Sequence, residues 1–234
     1  MNTALYLLPG WPFRAEVMHP LAQALQTHGY STHCLELPWH IEPDDTGWLD
    51  TLAHQLPDHA WVLGWSLGGM LAHALAQRPG TTIARVITLG ANARFTQSTE
   101  WRSALPADTL HHFTRQFSDT PDRVIKRFLA LCAYPHRGAP TLKQYLSTAP
   151  AAELARGLHL LGRLDNRSDM THCRHDAFFA ELDALVPSTA RNDMKHLYSS
   201  HFHGTLMPGM THADLVTNPA TIASIASILT GGAS

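Results

Sequence analysis

The chain has 234 residues, 44% of them hydrophobic and 15% charged. That length fits one domain, or one domain carrying an insertion, with enough apolar residues for a sizeable core. A formal net charge of −2 argues against a general nucleic-acid binder, and no apolar run approaches the ~20 residues of a membrane span.

The first ten residues, Met1 to Gly10, contain no basic region, and their apolar stretch is too short for a signal peptide. Cys34, Cys132 and Cys173 are widely spaced and odd in number. They suit reduced thiols in a cytoplasmic protein better than a disulfide framework.

Short apolar runs then alternate with helical patterns. Leu5–Leu8 reads as a strand ending at Pro9-Gly10. Ala15–His28 reads as a helix with Val17, Met18, Leu21 and Leu25 on one face, stopped by Gly29. Ser31–Leu35 is a second strand and Thr46–Leu56 a second helix. Ala60–Leu63 and Leu67–Gln77 are the third pair, stopped by Arg78-Pro79-Gly80. Arg85–Leu89 is a fourth strand. Such alternation implies a parallel sheet covered on both faces.

The alternation stops between about Asn92 and Met170. Thr109–Phe117, Asp122–Ala133 and Ala151–Leu164 read as helices, with Pro121 suited to a first helical turn. A helical stretch inside an α/β pattern reads as an inserted cap, 92–170, over a core made of 1–91 and 171–234. Ala177–Ala180, a helix near Ser188–Tyr198, the strand Phe202–Met207 and the helix Pro219–Leu229 complete the core. The fold class expected is α/β with about six mostly parallel strands.

Seventeen histidines raise the question of a metal. The close sets are His111-His112, His172 with His175, and His201 with His203. None has the frame of a zinc site, so no metal and no other cofactor is expected.

The strand-to-helix turn at Gly64-Trp65-Ser66-Leu67-Gly68 carries the chemistry. A serine on that turn projects above the sheet, and glycines two residues to either side let strand and helix approach closely. The Leu67 N–H sits at the helix N-terminus, where an oxyanion is stabilised. A nucleophilic serine needs a base and an orienting carboxylate, drawn from loops at the strands' C-terminal ends. His212 follows the last strand and Asp183 the one before it. Asp176 and Asp193 are alternative acids, and His201 and His203 alternative bases, at less suitable places. A second oxyanion N–H comes from Trp11 in the loop after the first strand, since Pro12 has none.

Gly10-Trp11 with Ala15-Glu16-Val17, and Leu63 to Gly69, resemble the pimeloyl-[acyl-carrier protein] methyl ester esterases of biotin synthesis, an α/β-hydrolase group. Phe117-Ser118-Asp119 with Arg123 and Arg127 to Leu131 is similar to that group's cap. Leu182 to Pro187 is similar to its acid loop, and His212 with Asn218-Pro219 to its histidine loop. The resemblance implies hydrolysis of the methyl ester to pimeloyl-carrier and methanol, with Ser66 as nucleophile, His212 as base and Asp183 as its orienter. Trp11 and Leu67 would hold the oxyanion, Trp11, Ser66, Leu67 and Phe128 would contact the acyl group, and Arg123 and Arg127 would meet the acidic carrier. Arg123, Lys126 and Arg127 share a helix face by their spacing, and Arg137 and Lys143 extend the patch.

Pro9 stands where that group has histidine, which alters the loop's hydrogen bonding. The group's N-terminal hairpin is largely missing, so a smaller sheet is expected. A cytoplasmic monomer is expected, with acyl-carrier protein as partner and neither nucleic acid nor membrane. The alternatives are a broad short-chain carboxylesterase or thioesterase and, in another class, a non-catalytic binding protein of hydrolase fold, against which the intact Ser66, Asp183 and His212 weigh.

Overall fold

A computed structural model describes residues 4–42, 46–136, 140–168, 173–198 and 201–231. Its sheet has six strands: β1 Ala4–Leu8, β2 Ser31–Cys34, β3 Trp61–Trp65, β4 Arg85–Leu89, β5 Arg174–Ala180 and β6 Phe202–Met207. Their order is β2-β1-β3-β4-β5-β6, and every pairing is parallel. β1 and β3 are near-continuous apolar runs, as strands covered on both faces tend to be, while β4 and β5 carry polar residues at their starts and at Thr88.

One face is covered by α1 His19–Thr27 and α10 Pro219–Gly231, which pack on each other. The other face carries α2 Gly47–Ala53, α3 Leu67–Ala76 and α8 Ala190–Tyr198. All ten residues of α3 are buried, and none is acidic, Lys or Arg. Between β4 and β5 lie α4 Ala107–Phe117, α5 Pro121–Ala133, α6 Pro140–Lys143 and α7 Ala151–Arg163. Each of the three long ones is amphipathic. Leu110, Phe113 and Phe117 of α4, Val124, Phe128 and Cys132 of α5, and Leu154, Leu158 and Leu161 of α7 are inward at helical spacing. Among the described residues this segment contains isolated bridges but no strand. The expected boundary at Met170 and Thr171 lies outside the described residues.

Two elements differ from expectation. The first helix is split into a 3-10 turn, Ala15–Met18, and α1, with Pro20 in the first turn of α1. Proline has no N–H for a continuous ladder, so the helix restarts there. β5 begins at Arg174 rather than Ala177. The polar residues that hid its start all find buried partners. Alternation along the strand sends Asp176 to the α10 face and His175 to the α3 face. Asp176 accepts from Arg85 Nε at 2.7 Å and from Arg174, and Arg85 also donates to the Leu229 carbonyl and lies over the Trp61 ring. His175 meets Thr88 Oγ1 at 3.0 Å, and its ring packs with those of His73, Tyr198 and Phe202.

Arg85 and Asp176 are both nearly inaccessible. Removing one partner of such a pair strands the other charge, at a cost of about 3–5 kcal/mol. Asp176→Ala is therefore expected to lose about that much in urea unfolding, and activity at temperatures where it remains folded should survive.

Burial pushes the His175 imidazole down to about 3, and burial with the neighbouring His175 pushes His73 well below the usual range. Both stay neutral in the native state, while the unfolded chain takes up their protons below about 6.5. The contribution of His175 is complete above that pH and declines as pH falls toward 3, by up to about 1 kcal/mol per pH unit, and His73 adds a decline of the same sign. Urea midpoints measured from pH 8 to pH 4 should show this decline, and His175→Gln should flatten it.

Candidate active site

The turn from β3 into α3 is forced by close contact. A Cβ on Gly64 would overlap the Gly68 carbonyl, and one on Gly68 would overlap the carbonyls of Leu8 and Pro9. Ser66 between them has φ 55° and ψ −119°. A serine held at positive φ is strained, a cost of order 1–3 kcal/mol that the surrounding packing must hold in place. Its N–H donates to the Leu89 carbonyl at 2.9 Å, and its carbonyl opens the α3 ladder by accepting from Met70 N–H at 3.1 Å.

Asp183 and His212 come from the loops after β5 and β6. Those loops are tied together, since the Glu181 and Leu182 N–H groups donate to the Met207 and Met210 carbonyls. Asp214, which opens the one-turn helix α9 Asp214–Thr217, accepts from Thr211 N–H and Oγ1 at 2.8 and 2.7 Å, which locks the turn around His212. His212 Nδ1 lies 2.6 Å from Asp183 Oδ2. The other carboxylate oxygen accepts the Leu185 and Val186 N–H groups at 2.8 and 2.9 Å. With Nδ1–H given to Asp183, Nε2 is left as the basic nitrogen. Nε2 is buried and has no hydrogen-bond partner, so Ser66 Oγ is not bonded to it in this state. The ring packs against Trp65, the residue before Ser66, at 5.2 Å between centroids. A Cβ on Gly90, just beyond Leu89, would stand 2.9 Å from Nδ1.

The competitors lie elsewhere. Asp176 is held by Arg85 near the opposite edge of the sheet. Asp193 is on α8, and His201 and His203 are exposed near the start of β6. His172 lies outside the described residues. Among those described, no three His, Cys, Asp or Glu side chains are arranged to hold a metal ion.

The loop after β1 turns through the Phe13 N–H to Gly10 carbonyl bond at 2.9 Å. Neither Trp11 N–H nor Leu67 N–H donates a hydrogen bond among the described residues, so both remain open to an oxyanion. The Trp11 indole is fully buried and donates to the Leu154 carbonyl of α7 at 2.8 Å. Phe128 and Phe117 meet it edge-on at 4.8 and 5.5 Å. The helical segment thus closes over the strands' C-terminal ends. Ser147 N–H reaches Pro12, Arg14 N–H reaches Tyr145, Asn166 N–H reaches Ala93, and Ala213 N–H reaches Cys132. Ser66 is only 4% exposed.

Arg123, Lys126 and Arg127 are exposed on the outer face of α5, with the Arg127 guanidinium 5.2 Å from the Phe113 ring, and Lys143 is exposed on α6. Arg137 lies outside the described residues. Two supports escaped sequence reasoning. A Cβ on Gly157 would stand 2.6 Å from Trp11 and 2.8 Å from Trp39, so this mid-helix glycine seats α7 on the loop. Asn166 donates to the Met70 carbonyl, and its own carbonyl accepts from Gln77 and Tyr198, fastening the end of α7 to α3. A glycine inside a helix was the available signal for the first; nothing local marks the second.

Asp183→Asn keeps the shape and removes the charge that would stabilise an imidazolium at His212 and fix its tautomer. A fall in kcat of about 10³–10⁴ with KM nearly unchanged is expected, measured by steady-state kinetics on a short-chain p-nitrophenyl ester.

Residues 5–225 match the model of the alpha/beta hydrolase family. The chain is 31% identical to the pimeloyl-[acyl-carrier protein] methyl ester esterase of Vibrio cholerae, over 90% of this chain and 89% of that one. It is 35% identical to the biotin biosynthesis bifunctional protein BioHC of Cellvibrio japonicus, over 75% of this chain and 36% of that longer protein. Among solved structures, an esterase from Exiguobacterium antarcticum superposes with a TM-score of 0.82 at 15% identity, over 99% of this chain and 92% of that one. A bromoperoxidase from Bacillus anthracis does so at 0.82 and 17%, over 98% and 92%. By fold and by sequence, the chain belongs to the alpha/beta hydrolase family and, within it, to the group of the pimeloyl-[acyl-carrier protein] methyl ester esterases.

Proposed function

We propose that the chain is a serine carboxylesterase that hydrolyses the methyl ester of pimeloyl-[acyl-carrier protein] to the free distal carboxylate and methanol. The observation that carries this reading is the coincidence of two things. The relative from Vibrio cholerae matches along nearly its whole length and bears that activity in its name. In this chain, a strained serine, a carboxylate-held histidine and two open N–H groups converge under an aromatic-lined helical segment.

In this reading residues 92–170 are a cap. Ser66 Oγ attacks the ester carbonyl as His212 Nε2 takes its proton, and the Asp183 carboxylate stabilises the resulting imidazolium. The Trp11 and Leu67 N–H groups receive the oxyanion. The tetrahedral adduct collapses, the C–O bond to methoxide breaks, and the imidazolium proton leaves with it as methanol. Water then enters, gives a proton to Nε2 and adds to the acyl carbonyl. The second adduct frees the carboxylic acid and returns the proton to Ser66. The acyl half retained on Ser66 is the half that bears the carrier, so carrier contacts persist through both steps. Trp11 and Phe128 wall the acyl chain. Arg123, Arg127 and Lys143, with Arg137, face the acidic carrier and its phosphate; guanidinium forks suit that phosphate.

The test is hydrolysis of pimeloyl-carrier methyl ester by wild type and by Arg123→Glu with Arg127→Glu. Attraction between oppositely charged surfaces raises association rates and is screened by salt. The double variant should lose about tenfold or more in kcat/KM on the carrier-bound ester, with a weaker salt dependence, and little on methyl butyrate. No loss on the carrier-bound ester would favour a general short-chain esterase.

A further inference from the structure

The peptide unit joining His212 to Ala213 is gripped at both ends. Its carbonyl accepts the Trp65 indole Nε1–H at 3.2 Å. Its N–H donates to the Cys132 carbonyl at 2.9 Å. Trp65 ends β3 and immediately precedes Ser66. Cys132 lies in the last turn of α5, four residues and about one turn beyond Phe128. Carbonyls in a last helical turn have no partner within the helix. That of Cys132 is satisfied by the chain beside His212 instead.

The grip on the Trp65 side is specific. The side chain is fully buried between two rings, with Phe13 at 5.1 Å and the His212 imidazole at 5.2 Å. A buried indole N–H requires an acceptor, and here the acceptor is the backbone of His212. On the other side, burial and the charge of Asp183 push the Cys132 thiol well above its usual range. It therefore stays neutral beside the Asp183–His212 pair and adds no competing charge.

We propose that Trp65 is a positioning residue for ester hydrolysis. Through its indole N–H it fixes the His212–Ala213 peptide, whose other end is held by α5, so the nucleophile's strand and the cap together set the imidazole. The inference rests on His212 being the base. Its consequence is that the helix carrying Phe128 also holds the peptide of the base.

Trp65→Phe removes the N–H and keeps a ring between Phe13 and His212. The readouts are kcat, KM and the pH dependence of kcat/KM on p-nitrophenyl butyrate, with the fold checked by circular dichroism. A base that wanders from its nucleophile loses turnover and not ground-state binding. Expected are a fall in kcat of about tenfold or more, KM within about twofold, and an acid limb moved to lower pH, because a looser Asp183 contact stabilises the imidazolium less. Unchanged kcat and acid limb in a folded variant would overturn the proposal, as would a loss of thermal stability alone. If Trp65→Phe does not fold, Trp65→Met removes the same donor with a side chain that adapts to the gap; failure of both to fold would assign Trp65 to core packing and overturn the proposal. His212→Gln run beside them separates the two ideas, since full activity there would sink the base assignment itself, whatever Trp65 does.

Discussion

The first turn of α3 approaches β1 and β3 so closely that only hydrogen fits at Gly64 and Gly68. This contact organises the whole site. It holds Ser66 at positive φ at the top of β3. It places the Leu67 N–H at the start of a fully buried helix, where the field favours an anion. It also presses α3 onto the carbonyls of Leu8 and Pro9, which fixes where the following loop presents Trp11. The placement of Ser66, of the Leu67 N–H and of Trp11, to which the proposed function gives the roles of nucleophile, oxyanion donors and acyl-chain wall, thus follows from one backbone approach.

The two edges of the sheet bury charge differently. Near the N-terminal edge Asp176 takes donors from Arg85 and Arg174. At the C-terminal edge Asp183 is equally well supplied, by His212 and two backbone N–H groups. The difference is in the partner. Arg85 Nη2 and His212 Nε2 are both buried without a hydrogen-bond partner, but a guanidinium nitrogen only donates and stays protonated, whereas a neutral imidazole with Nδ1–H given to Asp183 can take up a proton at Nε2. A buried unpartnered polar atom costs stability and calls for a reason. Proton transfer with Ser66 is the reason proposed above. Nearby, Trp65 and α5 hold the backbone of that same histidine.

Features set by local pattern were legible in the sequence. The strand and helix alternation, the parallel sheet and the turn at Ser66 all rest on periodicity and glycine placement within a few residues. Asp183 and His212 could be chosen because topology puts the loops after β5 and β6 beside the nucleophile. What escaped was set by contacts across long separations. Trp11 and Leu154 are 143 positions apart, and Arg85 and Asp176 are 91 apart. The start of β5 was hidden because Arg174, His175 and Asp176 look like loop residues until their buried partners are known. The Trp65 bond to the His212 carbonyl, 147 positions away, had no local signal at all.

The most direct test of the central claim is methanol release from pimeloyl-carrier methyl ester by wild type and by a folded Ser66→Ala variant. Groups that act as a unit in covalent hydrolysis lose nearly all of their effect when one is removed. Ready methanol release by wild type and a loss of at least about 10³-fold in the variant are expected. Comparable release by both proteins would contradict that claim.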